Sequence, residues 1–288
     1  MPDNSVRLAS IVIPVYNEAA SVRRVLDRVC ALRIPGAELE IIVVNDGSTD
    51  QTAEILDAYE FPPRVCGRVH HAPANLGKGA AMRTGIALAA GDAIAFQDGD
   101  LELDPDDLPA LLEPVISGKA PVVFGSRFLA GYSRGVPLQT RWGNWFLTLA
   151  TNVLFGARLT DMACGYKVLS RATAQSVRLR TVGFEIEPEI TAKLCRLGIP
   201  IHELPVRYQP RTVAEGKKIR ARDGLQYLRT LIAIRFASRT ACERPPAPPR
   251  QREIRRASMP THALPTFNSD SREAVAARHV DAIPRSRA

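Results

Sequence analysis

The chain predicts an α/β protein: an open, mostly parallel sheet flanked by helices, folded as a single domain. Three observations carry this expectation. Short apolar runs at 11–16, 40–44 and 93–97 have the length and composition of buried strands. Helical stretches separate them, and that alternation is the pattern of βαβ units. Each run also ends in a polar cluster: Tyr16-Asn17-Glu18, Asn45-Asp46-Gly47-Ser48 and Asp98-Gly99-Asp100. In parallel strands those ends share one sheet edge, where ligands of open α/β sheets bind.

Taken in order, residues 1–9 form a short polar arm. Strand 11–16 follows, and Asn17-Glu18 opens an amphipathic helix to about 32. After strand 40–44, the cluster at 45–50 caps a helix over 51–59. A weaker strand at 64–70 leads through Asn75-Leu76-Gly77-Lys78-Gly79 into a helix of small residues ending near 90. Strand 93–97 then stops abruptly in carboxylates. Continuing it through Asp98 and Asp100 would bury both, because alternate side chains share a face. Gly99 lets the backbone turn and bring them to the sheet edge. Alone, Asp-Gly-Asp is equally a solvated turn; at a strand end its oxygens suit Mg²⁺ or Mn²⁺. Farther on come a strand at 122–125, a helix at 142–155, a loop at 161–167, a helix at 188–197 and an apolar helix at 225–236. From 238 to 288 the chain is rich in Pro and Arg, without periodicity, and cannot offset its own chain entropy.

Composition bounds the partners. The 288 residues are 45% hydrophobic, enough for a sizeable core, and carry a net charge of +8. Much of that excess lies in the tail, so it says little about the folded part. Five scattered cysteines, with no Cys-x-x-Cys pair, fit a reducing cytosol better than a disulfide framework or a zinc site. His70, His71 and His202 lack metal-ligand spacing. The first ten residues are too polar for a secretory leader. No apolar run reaches the roughly eighteen residues that span a bilayer. The expectation is a cytoplasmic protein, soluble or peripheral on a membrane.

The ordered clusters carry a resemblance. Pro14-Val15-Tyr16-Asn17-Glu18, Asn45-Asp46-Gly47-Ser48, Asn75-Leu76-Gly77-Lys78-Gly79 and Asp98-Gly99-Asp100 stand in the order seen in family 2 glycosyltransferases of the GT-A fold. Gly125-Ser126-Arg127, Thr160-Asp161-Met162, Cys164-Gly165-Tyr166-Lys167, Phe184-Glu185-Ile186-Glu187 and Glu203-Leu204-Pro205-Val206-Arg207-Tyr208 resemble the dolichol-phosphate mannosyltransferase, or polyprenyl-phosphate glycosyltransferase, branch. The resemblance implies a Rossmann-like GT-A catalytic domain over 10–237, ending in an amphipathic helix. It also implies metal-dependent, inverting transfer of a sugar, mannose or glucose, from a GDP- or UDP-sugar to a dolichyl or undecaprenyl phosphate at the cytoplasmic membrane face.

Residue roles come from the same resemblance. Pro14, Tyr16 and Glu18 would line the base and ribose pocket, with Asp46 close to the base and Lys78 also at the nucleotide. Asp98 and Asp100 would hold Mg²⁺ or Mn²⁺ on the diphosphate, joined by Glu102, where relatives often carry Gln. Arg127 and Arg141 match positions that bind acceptor phosphate, with Asn144 as a polar helper. Arg211, Lys217 and Lys218 resemble a mobile basic loop. Asp161 joins the catalytic group, and Glu185 and Glu187 act as positioning groups.

A lipid phosphate is already an anion and needs cations to hold it rather than a general base. Arg suits it best. A hydroxyl acceptor would instead need a base, for which Glu185, Glu187 and Asp161 are candidates. A non-catalytic nucleotide-sugar-binding protein is the reading of another class; no nucleic acid partner is expected. Trp142, Trp145, Phe146, Leu149 and Val153 recur at helical spacing, either to meet a membrane interface or to pack on the sheet.

Overall fold

The computed structural model describes residues 7–129, 138–211 and 221–243. Strands β1 (Arg7–Val15), β2 (Ala37–Asn45), β3 (Val65–His71) and β4 (Ala93–Phe96) alternate with helices α1 (Val22–Ala31), α2 (Thr52–Asp57) and α3 (Lys78–Leu88). All pairings among these four strands are parallel. Helix α4 (Leu108–Ile116) and β5 (Val122–Ser126) follow, then α5 (Leu138–Phe155), β6 (Lys167–Ser170), α6 (Arg171–Ser176), α7 (Ile186–Leu197) and β7 (His202–Pro205). Helices α8 (Ala221–Phe236) and α9 (Arg239–Cys242) complete the order. The sheet runs β3-β2-β1-β4-β6-β5-β7, with β6 antiparallel to both its neighbours.

Period-two alternation explains how β1 holds the centre. Ile11, Ile13 and Val15 enter one core with α1 and α4; Val12 enters the other with Ile42, Phe96 and the α7 side chains Ile186 and Ile190. Both faces are covered, so these strands read as continuous apolar runs. Residues 7–9, placed in the arm by the sequence, extend β1.

Three further expectations need correction. Asn17-Glu18 does not open α1, which begins at Val22; Asn17 instead takes a left-handed φ of 50°. Its amide donates to Ser48 Oγ at 3.0 Å and its Oδ1 accepts from Thr49 N at 2.8 Å, tying the β1 and β2 ends together. At α2 the 45–50 cluster does supply the capping contact, through Asp50 Oδ1, which accepts from Thr52 N at 3.0 Å. Residue 167, read as the end of a loop, begins strand β6, which inserts between β4 and β5. The fold also passes the expected 237 boundary: α9 buries Cys242, whose carbonyl accepts from Arg178 N at 2.8 Å. The rest of the tail lies outside the described residues. All five cysteines are free thiols.

Helix α3 seats against β1 through Gly85. A Cβ there would lie 2.1 Å from Val12 Cγ1 in the middle of the sheet. Gly85→Ala is therefore expected to lower stability by about 1–3 kcal/mol, the usual scale of overpacking. Urea unfolding measures this, and wild-type stability would contradict the seating.

Candidate active site

The parallel order brings the three polar strand ends to one edge. Pro14 is buried inside β1, and Tyr16 and Glu18 follow its end. Next door, Asp46 is buried and spends its carboxylate on the backbone: Oδ1 accepts from Leu76 N at 2.9 Å and Oδ2 from Gly77 N at 2.7 Å. Asp46 thus shapes the loop that presents Lys78 at the start of α3. Two glycines permit the approach. Gly47 leaves no room for a Cβ beside Ala74, and Gly77 has φ 100°.

Gly99 makes the turn that the sequence predicts, since a Cβ there would lie 2.7 Å from Val15 Cγ1. Beyond β4, Gln97 stays buried and accepts from Tyr166 Oη at 2.6 Å. Asp98 Oδ1 lies 2.7 Å from Lys78 Nζ, and the missing side chain of Gly165 clears space for Oδ2. Asp100 is paired with Arg211. The same guanidinium lies 3.1 Å from Glu18 Oε2 and 3.8 Å from Glu102 Oε1. Arg211 N also donates to Glu102 Oε1 at 2.8 Å, and Tyr208 Oη donates to Glu102 Oε2 at 3.1 Å. Burial, with Asp98 and Glu102 nearby, pushes the Asp100 carboxyl up to about 7, against the lowering pull of Arg211. Carboxylates are therefore in excess at this edge. Among the described residues, no three His, Cys, Asp or Glu side chains already form an ion cage. Arg211 supplies the cation that the carboxylates share.

A second cluster lies at the end of β5. Arg127 makes a fork to Asp161, with Nε to Oδ2 at 2.7 Å and Nη2 to Oδ1 at 2.8 Å, and its backbone N donates to Oδ2 at 3.0 Å. The Tyr208 ring lies 5.1 Å from the guanidinium carbon. Asp161 is fully buried, and its loop is fixed by Glu203 of β7, which accepts from the Thr160 and Asp161 amides at 2.8 and 3.0 Å. Sequence reading placed Glu203 in a motif without assigning it this work. Both Asp161 carboxylate oxygens are thus engaged by Arg127.

The paired glutamates diverge. Glu187 is buried between Lys78, 3.0 Å away, and Lys167; these two cations hold its carboxyl below the usual range despite the raising effect of burial. Glu185 is partly exposed, and its Oε1 accepts from Gly183 N at 3.1 Å. His71, at the end of β3, bonds Asn45 and Asp57. Lys217 and Lys218 lie outside the described residues.

Helix α5 buries Leu147 but turns much of its aromatic surface outward. Trp142, Trp145 and Phe146 are 66%, 56% and 52% exposed, whereas Asn144, Thr148 and Thr151 face inward and are buried. The aromatic stripe therefore does not pack on the sheet. Phe128, Arg141, Trp142, Asn144, Trp145 and Leu149 line a largely apolar cavity of about 650 Å³. Neither amide atom of Asn144 has a hydrogen-bond partner among the described residues. No described helix is long and apolar enough to cross a membrane.

Comparison with known proteins bears on this arrangement. The model of the family described as glycosyl transferase family 2 matches residues 10–177. The undecaprenyl-phosphate mannosyltransferase of Micrococcus luteus is 31% identical over 214 residues, which cover 72% of this chain and 85% of that protein. Glycosyltransferase AglD of Haloferax volcanii is 31% identical over 237 residues, 77% of this chain but 36% of AglD. The chain therefore spans about a third of AglD and most of the Micrococcus protein. Glucosyl-3-phosphoglycerate synthase from Mycobacterium tuberculosis, crystallised with Mn²⁺, UDP and glucosyl-3-phosphoglycerate, superimposes with a TM-score of 0.58 at 24% identity. That alignment covers 79% of this chain and 80% of the synthase, and it establishes a common architecture. The sheet order, the strand-end clusters and the family match agree: the chain belongs to glycosyl transferase family 2.

Proposed function

We propose that the chain transfers a hexose, mannose or glucose, from a GDP- or UDP-sugar to a polyprenyl phosphate, with inversion, on the cytoplasmic face of a membrane. One observation carries the choice of acceptor. Of the three candidate bases, Asp161 is consumed by Arg127 and Glu187 by two lysines, which leaves the partly exposed Glu185 alone without a cation partner among the described residues. A hydroxyl acceptor needs a proton removed, whereas a phosphate arrives already ionised. The Micrococcus relative bears the name of an undecaprenyl-phosphate mannosyltransferase.

The donor end of the site is the carboxylate edge. Its all-oxygen donors match a hard divalent cation, and Arg211 already stands among them as a positive charge. We assign Asp98, Asp100 and Glu102 to Mg²⁺ or Mn²⁺, which would neutralise charge on the diphosphate leaving group when bound. Arg211 then exchanges carboxylates for donor phosphates, and Lys78 adds a second cation from α3. Pro14, Tyr16, Glu18 and Asp46 form the nucleotide pocket, Asp46 by holding the 75–77 loop.

Arg127, fixed as a rigid fork by Asp161, faces the acceptor phosphate together with Arg141, while Asn144 offers its unpartnered amide from the cavity wall. Fixing these cations in advance removes their reorganisation from the reaction step. The outward aromatic stripe of α5, with Arg141 beside it, rests on the membrane from which the lipid comes. At the end of α8, Phe236 is 81% exposed and adds a further apolar surface.

Radiolabelled GDP- and UDP-hexoses, offered with a short polyprenyl phosphate or the matching polyprenol, test this reading. Transfer to the phosphate alone is expected, abolished by chelation and lowered about 10²- to 10³-fold by Asp100→Ala, the scale of a lost charge-stabilising group. Equal transfer to the alcohol contradicts the acceptor assignment.

A pH dependence follows from Asp100. Its folded-state pKa near 7 lies above its ordinary 3.8, so its ionisation costs folding free energy that grows as pH rises from about 4 through 7. A bound cation offsets that cost and competes with the proton. Mn²⁺ should therefore raise Tm more at pH 8 than at pH 6, and Asp100→Asn should flatten the difference. An equal shift at both pH values contradicts a role for Asp100 as a cation ligand.

A further inference from the structure

We propose that Lys167, a side chain in the core with no route to substrate, is a positioning residue for the donor site: through Glu187 it holds Lys78 against Asp98. The proposal rests on the reading of that edge as the nucleotide-sugar site.

Lys167 opens β6 and is fully buried. A buried ammonium is costly unless its donors are met, and here they are. Its Nζ donates to Cys164 O at 2.6 Å and to Glu187 Oε2, lies 3.4 Å from Met162 O, and sits 4.8 Å from the centroid of the Phe124 ring. These contacts surround the ammonium on the backbone of the 162–164 loop and on β5, so it cannot be displaced without breaking several at once.

Glu187, in the first turn of α7, is clasped from two sides. One oxygen meets Lys167; the other lies 3.0 Å from Lys78 Nζ. Lys78 in turn lies 2.7 Å from Asp98 Oδ1. Four groups of alternating charge, Lys167, Glu187, Lys78 and Asp98, thus run from the core to the sheet edge. Their net charge is zero.

The arithmetic without Lys167 shows its work. Lys78 would then be the one cation of this chain between two carboxylates, and a buried Glu187 without its second partner would draw the ammonium inward, away from Asp98. With Lys167 present, Glu187 is already neutralised and guides Lys78 without capturing it. The loop contacts of Asp46 fix the Lys78 backbone; Lys167 and Glu187 fix its ammonium.

Calorimetric binding of UDP and GDP, with and without Mn²⁺, tests this beside steady-state transfer. Lys167→Met and Glu187→Gln are expected to weaken binding of the preferred nucleotide about 10- to 100-fold, the range seen when supporting partners of a ligand shell are lost. The KM for polyprenyl phosphate should hold. Lys167→Arg should recover part of the loss. Adding Lys167→Met to Lys78→Met should cost little more than Lys78→Met alone, because both act on one contact. A purely structural Lys167 would lower Tm and leave nucleotide Kd unchanged, or add fully to Lys78→Met; either result overturns the proposal. If Lys167→Met does not fold, wild-type Kd in Glu187→Gln overturns it equally. Wild-type protein that binds neither nucleotide fails at an earlier point, removing the donor site and with it anything Lys167 could position.

Discussion

The excess of carboxylate at one sheet edge governs this molecule. Glu18, Asp98, Asp100 and Glu102 converge where three parallel strands end, and two cations, Lys78 and Arg211, hold the group together. Burial makes that crowding expensive, as the raised Asp100 carboxyl records. A fold retains such a cost when the site serves something else, and on the function proposed above that is a ligand that brings its own positive charge or exchanges for a protein cation. Much of the surrounding structure keeps this edge tense and ordered. Asp46 pins the loop before α3, and Asn17 ties the β1 end to the β2 end. Gly99 and Gly165 clear space around the turn.

The proposed acceptor side follows a different physical logic. Arg127 is paired with the Asp161 carboxylate, and Glu203 accepts from the backbone amides of the loop that carries it. One side of the site therefore carries acids waiting for cations, and the other carries a cation braced by an acid. Two anions, a diphosphate and a lipid phosphate, repel one another in water. Such a division of charge lets one chain hold both without asking any side chain to move a proton. Helix α5 adds the setting: Asn144, Thr148 and Thr151 turn inward beside Leu147, while its tryptophans turn out.

Much of this was legible in the sequence where the signal is local. Short apolar runs ending in Asn-Asp-Gly-Ser or Asp-Gly-Asp gave both the parallel sheet and the shared edge, because each cluster lies within a few residues of its strand. The first three helices were legible from amphipathic pattern, capping cluster and small-residue run in turn, although Asn17 delayed α1 by adopting a left-handed backbone that no pattern of hydrophobicity encodes. Strand β6 escaped notice since it is four residues long and starts with a lysine, ordinarily a surface residue. The pairings that define the site were hidden for another reason. Arg211 and Asp100 are 111 positions apart, and Lys167 meets Glu187 across 20, so only folding reveals which charge answers which. The inward face of α5 was equally invisible, because an aromatic stripe has the same period whether it meets a sheet or a bilayer.

The central claim is that Arg211 holds the place of a divalent cation and releases it when a nucleotide arrives. A crystal structure of the protein grown with Mn²⁺ and UDP or GDP, recorded at the manganese absorption edge, tests it most directly. The expected result is an anomalous peak bonded to Asp100, with the Arg211 guanidinium moved off the carboxylates and onto a phosphate. A bound nucleotide with Arg211 still paired to Glu18 and Asp100, and no anomalous peak between them, would contradict it.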